Sequence, residues 1–234
     1  MELSTFFEKY IKIVESAEKV FAQIKKEHPD CVKCKIECSD CCHALFDISL
    51  VEALYISLKF REKYHGAEQE QLIDKANKAD RKIYKLKKDA YKEFKEGKDE
   101  TAIFEKMAEE RVRCPMLNDS DQCDIYEFRP ITCRLYGIPT AIGGKGHTCG
   151  LSAFTKGKSY PTVNLDVIHQ ALHNISSELV KHIGSKYKGL SELVVPLSMA
   201  LLTVYDEEYL GIDSDEKKKT ATDEEDKKDV ESSP

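Results

Sequence analysis

No stretch of this chain is apolar for long enough to cross a bilayer. The longest candidate, LVVPLSMALLTVY from Leu193 to Tyr205, is 13 residues and contains a proline, whereas a membrane helix needs about 20. It reads instead as a buried core helix. The N-terminal MELSTFFEKYIKIVESAEK carries charges throughout, so a secretion signal with its uninterrupted apolar segment is not expected. Tryptophan is absent, no internal repeat is visible, and no Ser-His-Asp arrangement or acid pair is legible. The loop GGKGH, Gly143 to His147, lacks the GxxxxGK[ST] spacing of a phosphate-binding loop; its glycines are read as freeing the backbone that carries Cys149. These absences set the expected compartment as a reducing cytoplasm, where stable disulfides are rare.

What is present supports a core. Hydrophobic residues make up 41% and charged residues 33% of the 234, which suits a single domain over residues 1–211. The net charge of −6 is partly a tail effect: from Asp213 on there are nine acidic residues and five lysines. The tail, 212–234, has a valine as its one large apolar residue after Asp213, too little to offset ordering entropy, and is expected to be disordered.

The body reads as helical. Leu3, Phe7, Tyr10, Val14, Ala17, Phe21 and Ile24 recur at spacings of four and three, placing one stripe on a helix that His28-Pro29 ends. Ser49 with Glu52 forms a capping box, predicting a helix over about 50–63 with Gly66 as its stop. Leu72, Ala76, Ala79, Ile83, Leu86 and Ala90 predict a long helix to about Phe94. Asp99 caps another to about Arg111. Asn164 opens one carrying Ile168, Leu172, Ile175 and Leu179, closed near Gly184. Between Lys75 and Lys95 lie nine basic and three acidic residues; this is read as the solvated face of an amphipathic helix, with no nucleic acid partner expected.

Nine cysteines fall in two irregular segments. The first, CVKCKIECSDCC (31–42), packs five into twelve residues; Cys31-Cys34 and Cys38-Cys41 have the CxxC spacing that lets two thiolates meet one metal. Adjacent Cys41 and Cys42 project differently, so they serve two centres or one ligand and one packed thiol. The second segment spaces Cys114, Cys123, Cys133 and Cys149 by eight, nine and fifteen residues. An odd count in a reducing compartment favours metal ligation over disulfides. Zinc prefers paired spacing, while iron–sulfur clusters accept a tight group with distant partners. Pro130 is placed at the first position of a short helix, ITCRLY, closed by Gly137, with Arg129 and Arg134 flanking Cys133. Those guanidinium groups either donate to cluster sulfur, offsetting its negative charge, or pair with surface carboxylates. His43 and His147 rank below the cysteines as ligands, and His169 and His173, four apart on a helix, read as half-exposed helix residues.

CSDCCHALFDISLVEA followed by CPMLNDSDQCDIYEFRPITCRLYG resembles the YkgJ-type cysteine-cluster family, the zinc- or iron-chelating CxxCxxCC domain, over about Cys34 to Cys149. The resemblance implies metal or iron–sulfur binding by Cys34, Cys38, Cys41, Cys42, Cys114, Cys123, Cys133 and Cys149. Here three residues separate Cys34 from Cys38 where the pattern has two, and Cys31 is additional, so the first ligand is Cys31 or Cys34. An enzymatic relative of that family is flagellin lysine N-methylase, but no residues here match a methyl-donor site. The expectation is therefore a mainly α, single helical domain whose two cysteine-bearing segments meet at a metal site. Its cofactor would be an iron–sulfur cluster, with zinc as the alternative. The expected role is accessory, redox or regulatory, with a protein partner possible; the alternatives are structural zinc binding and protein modification of the lysine N-methylase kind.

Overall fold

A computed structural model describes residues 2–212; the expected charged tail lies, from Asp213 on, outside the described residues. The helical stripes fold as their spacing predicts. Helix α1 (Ser4–Glu27) buries Phe6, Tyr10, Ala17 and Ile24 on one face and ends just before Pro29. A single 3₁₀ turn, Asp40–His43, carries Cys41 and Cys42 into strand β1 (Asp47–Ser49). Helix α2 (Leu50–Lys63) starts at the Ser49/Glu52 capping box. It buries Leu50, Val51, Ala53, Leu54, Ile56 and Phe60, apolar on nearly every side, as a helix at the centre of a fold must be.

Helix α3 (Gly66–Lys95) buries Leu72, Ala76, Ala79 and Ile83 and leaves its lysines outward. Helix α4 (Glu100–Glu109) begins where the Asp99 carboxylate accepts from Ala102 N at 2.9 Å. A short α5 (Ile131–Leu135) holds Cys133. Strands β2 (Thr140–Ile142), β3 (Lys145–His147) and β4 (Val163–Asn164) form a small sheet in the order β3-β2-β4. Helix α6 (Leu165–His182) is capped by Asn164, whose side chain accepts from Asp166 N at 2.9 Å. Strand β5 (Val194–Pro196) and helix α7 (Leu197–Leu202) complete the described chain.

Two apolar clusters share α2 as their common wall. Leu50, Val51 and Leu54 face a cluster built with α1, α5 and α6. Ala53, Ile56 and Phe60 face a second, built with α3, α7, Met116 and Ile125. Burying such side chains contributes about 1.5–3 kcal/mol each, so the framework that presents both cysteine segments is set by ordinary packing.

Several local expectations are corrected. The apolar run from Leu193 is helical only from Leu197; Val194–Pro196 pairs antiparallel with β1 (Ile48↔Val195), because β-branched valines suit a strand and Pro196 serves as the helix cap. Gly66 does not stop α2, which closes at Tyr64; it starts α3 at φ +54. Pro130 is the cap of α5 and not its first helical residue. GGKGH is a hairpin: Gly143 and Gly144, at φ +55 and +75, make the two-residue turn between β2 and β3, the backbone signs that a tight hairpin requires. Among the described residues, no helix is long and apolar enough to cross a membrane.

Candidate metal centre

Backbone bonds bring the two cysteine segments together. Cys114 N donates to Cys42 O at 2.7 Å and Val112 N to His43 O at 3.1 Å, beside a bridge between Ala44 and Arg111. On the other side, Ala153 N donates to Cys31 O at 2.9 Å, drawing the stretch after Cys149 onto the start of the nest. Cys133 is positioned through Glu52. One oxygen of this buried carboxylate accepts from Ser49 N and Ser49 Oγ, the other from Ile131 N at 3.1 Å. A single residue thus closes the capping box of α2 and anchors the first turn of α5. Complete burial pushes its carboxyl group up from the ordinary range.

Two cavities open between these pieces. The inner one, about 50 Å³, is lined by Cys41, Cys42, Cys114, Cys123 and Cys133, with Arg129 and apolar groups including Ile83, Val112 and Ile125. The outer cleft, about 660 Å³, shares Cys41, Cys42, Cys123 and Cys133 and adds Cys34, Cys38 and Cys149. All eight cysteines expected as ligands therefore line one cavity or both, and Cys31 lines neither. His43, His147, His169 and His173 also line neither. Among the described residues, no group of three or more Cys, His, Asp or Glu side chains already converges as an ion's coordination sphere.

The thiols differ by environment. Cys42 donates to Cys41, which lowers the Cys41 thiol to about 7 and raises Cys42. Burial pushes Cys34 up to about 11 and Cys114 up to about 12, and it raises Cys123, Cys133 and Cys149 as well. Desolvation penalises a bare thiolate; a bound cation reverses that penalty, since a coordinating thiol is deprotonated outright. A wall of buried thiols drawn from both segments fits a metal or cluster by its donor chemistry.

The two arginines occupy different places. Arg134 is 5% exposed, and its guanidinium donates to Arg129 O, Glu127 O and the Glu18 carboxylate. Those bonds fasten α5 to α1. Arg129 stacks on Tyr126, its Cζ 3.7 Å from the ring centroid, and lines both cavities. Its charge favours the thiolate at Cys41, Cys123 and Cys133.

Residues 30 to 150 match the model of the CxxCxxCC family, whose description reads "putative zinc- or iron-chelating domain". The chain belongs to the CxxCxxCC family. Metal binding is thus the property its family supports, carried by the segment that lines both cavities. Neither the curated proteins nor the solved structures include a match to this chain.

Three contributors to this CxxCxxCC site escaped the sequence reading. Asp40 accepts from the Cys149 thiol at 3.2 Å and pairs with Arg111 at 3.0 Å. Gly137 lies so close to Cys34 that a Cβ there would stand 2.0 Å from Sγ. Glu52 was visible as half of a capping box but not as the anchor of α5. Asp40, between Ser39 and Cys41, offered a signal in its position inside the nest; Gly137 and the second role of Glu52 depend on contacts between segments far apart in sequence.

Proposed function

We propose that this protein carries an iron–sulfur cluster on its cysteines and serves an accessory, redox or regulatory role. The supporting observation is the inner cavity: five thiols from both segments, no carboxylate or imidazole in the lining, apolar walls and two arginines, Arg129 and Arg113, the latter with its guanidinium donating to Leu117 O and Asn118 O. An all-sulfur donor set selects iron–sulfur or zinc over harder ions. More thiols than one tetrahedral zinc requires, backed by a cation in an apolar setting, suit a cluster with net negative charge. When bound, such a cluster supplies one-electron chemistry. The chain's own part is to hold it with Cys41, Cys42, Cys114, Cys123 and Cys133, to place Arg129 beside it, and to keep water off its inner face with Ile83, Val112 and Ile125.

The test is anaerobic purification of the full chain followed by iron, zinc and acid-labile sulfide analysis with visible absorption. Iron and sulfide in matching amounts, with a broad visible band, are expected. A colourless protein holding stoichiometric zinc and no sulfide refutes the cluster and leaves zinc binding as the function.

A further inference from the structure

The inner cavity leaves three of the eight cysteines unused. Cys34, Cys38 and Cys149 line the outer cleft but not the inner cavity, and Cys114 lines the inner cavity but not the cleft. The outer three line one cleft together with Asp40. A carboxylate joins them: Asp40, whose side chain is 15% exposed, accepts from Cys149 Sγ at 3.2 Å through Oδ2. Its other oxygen is held by Arg111 at 3.0 Å, and Arg111 also donates to the Tyr136 hydroxyl at 3.3 Å. An oriented carboxylate with a fixed partner is the arrangement that ligating acids use.

One distance, between Asp40 and Cys149, suits a shared ion. With zinc–sulfur near 2.3 Å and zinc–oxygen near 2.1 Å, a tetrahedral angle puts sulfur and oxygen roughly 3.6 Å apart. Asp40 Oδ2 and Cys149 Sγ stand at 3.2 Å, a few tenths of an ångström from that value. The position of Cys34 is built in as well, since its Sγ fills the space that any side chain at residue 137 would take. The extra residue between Cys34 and Cys38 is absorbed in a tight turn, Cys38 N donating to Lys35 O at 3.1 Å with Glu37 at φ +68.

Resting on the metal-binding reading above, we propose that the cysteines serve two separate sites: an inner all-thiolate centre, and an outer one of Cys34, Cys38, Cys149 and Asp40. The outer site takes a single borderline-soft divalent ion, zinc or ferrous iron, in a donor set of three sulfurs and one oxygen. It faces the wide cleft, so its ion exchanges with solution more readily than the inner occupant.

The test counts metal and sulfide per chain in the anaerobically purified full-length protein, compared with Cys149→Ser, Asp40→Asn and Cys114→Ser. Circular dichroism checks that each variant is folded. The wild type is expected to hold its inner complement plus one further ion. Cys149→Ser and Asp40→Asn lose that one ion and keep the inner metal and its absorption, whereas Cys114→Ser loses the inner complement. Re-addition of zinc alone restores the missing ion to the wild type stripped by a mild chelator but not to Asp40→Asn. Loss of all metal together in Cys149→Ser and Asp40→Asn means one common centre and overturns the division while leaving metal binding intact. Wild-type metal content in both variants overturns the outer site equally. A wild type without any metal removes the metal-binding reading itself.

Discussion

Gly137→Ala tests the outer site without touching a ligand. The backbone at Gly137 does not need a left-handed angle, so alanine is admissible in conformation; the conflict is the 2.0 Å between the new Cβ and Cys34 Sγ. Carbon and sulfur rest at about 3.5–4.0 Å, so the thiol must retreat by roughly 1.5–2 Å. A short side chain manages this by rotating about one bond, and overpacking of this kind costs about 1–3 kcal/mol. For a chain of this size that lowers the Tm by about 2–4 °C per kcal/mol, and the protein stays folded. Metal coordination is far less tolerant, because ligand distances hold to about 0.2 Å. Gly137→Ala should therefore lose the outer ion while its metal-free Tm falls by about 2–12 °C. Gly146→Ala, where a Cβ meets nothing within 4 Å, is the control and should match the wild type. Metal analysis paired with thermal melts of both variants decides it. A Gly137→Ala protein with the wild-type ion count would refute the claim that Cys34 is held in place as a ligand.

Other outcomes follow from the same geometry. Glu52→Ala strands the donors at Ser49 and Ile131, at about 1–3 kcal/mol for each buried group left unsatisfied, and should lower the urea midpoint markedly. Because burial raises the Glu52 carboxyl in the folded state, its contribution is full below the ordinary carboxylate range and is lost as pH rises through the raised value; Glu52→Gln should flatten that slope in urea titrations. Glu37→Gly relieves a left-handed residue at φ +68 and should be neutral or stabilising by up to about 1 kcal/mol, with metal content unchanged. Cys133→Ser should abolish retention of the inner metal, and Cys31→Ser, which lines neither cavity, should be the mildest of the nine serine substitutions by the same metal assay.

The helices were legible because their signals are local. Spacings of three and four in α1 and α3, and caps at Ser49, Asp99 and Asn164, lie within a few residues of what they specify. Strands of two or three residues leave no room for alternation to show, and β1 meets β5 across more than half of the chain. The cysteines were equally visible, since few other reasons gather five in twelve residues. Their sorting between two cavities was not, because Cys114 and Cys149 each reach the nest through loop backbone that carries no periodic signature. Arg134 shows the limit most plainly. Adjacency to Cys133 left open a partner for sulfur or a pair with a surface carboxylate, and only the fold shows that its guanidinium donates to Glu18 and two carbonyls while the residue lines the outer cleft.

The strand pair β1–β5 also bears on where this protein can be cut. The stretch matching the CxxCxxCC family, 30 to 150, contains β1 but not β5, and α5 but not α1. Pro196, Leu197 and Ser198 help wall the inner cavity from beyond that stretch, while Ser176 of α6 accepts from Val51 N in the central helix. A fragment trimmed to 30–150 would expose one edge of β1, both flanks of α2 and one side of the thiol-lined chamber to water. The signature's borders along the chain are thus not seams in space, and a recombinant excerpt bounded by them should aggregate more readily than residues 2–212 when the two are compared by light scattering.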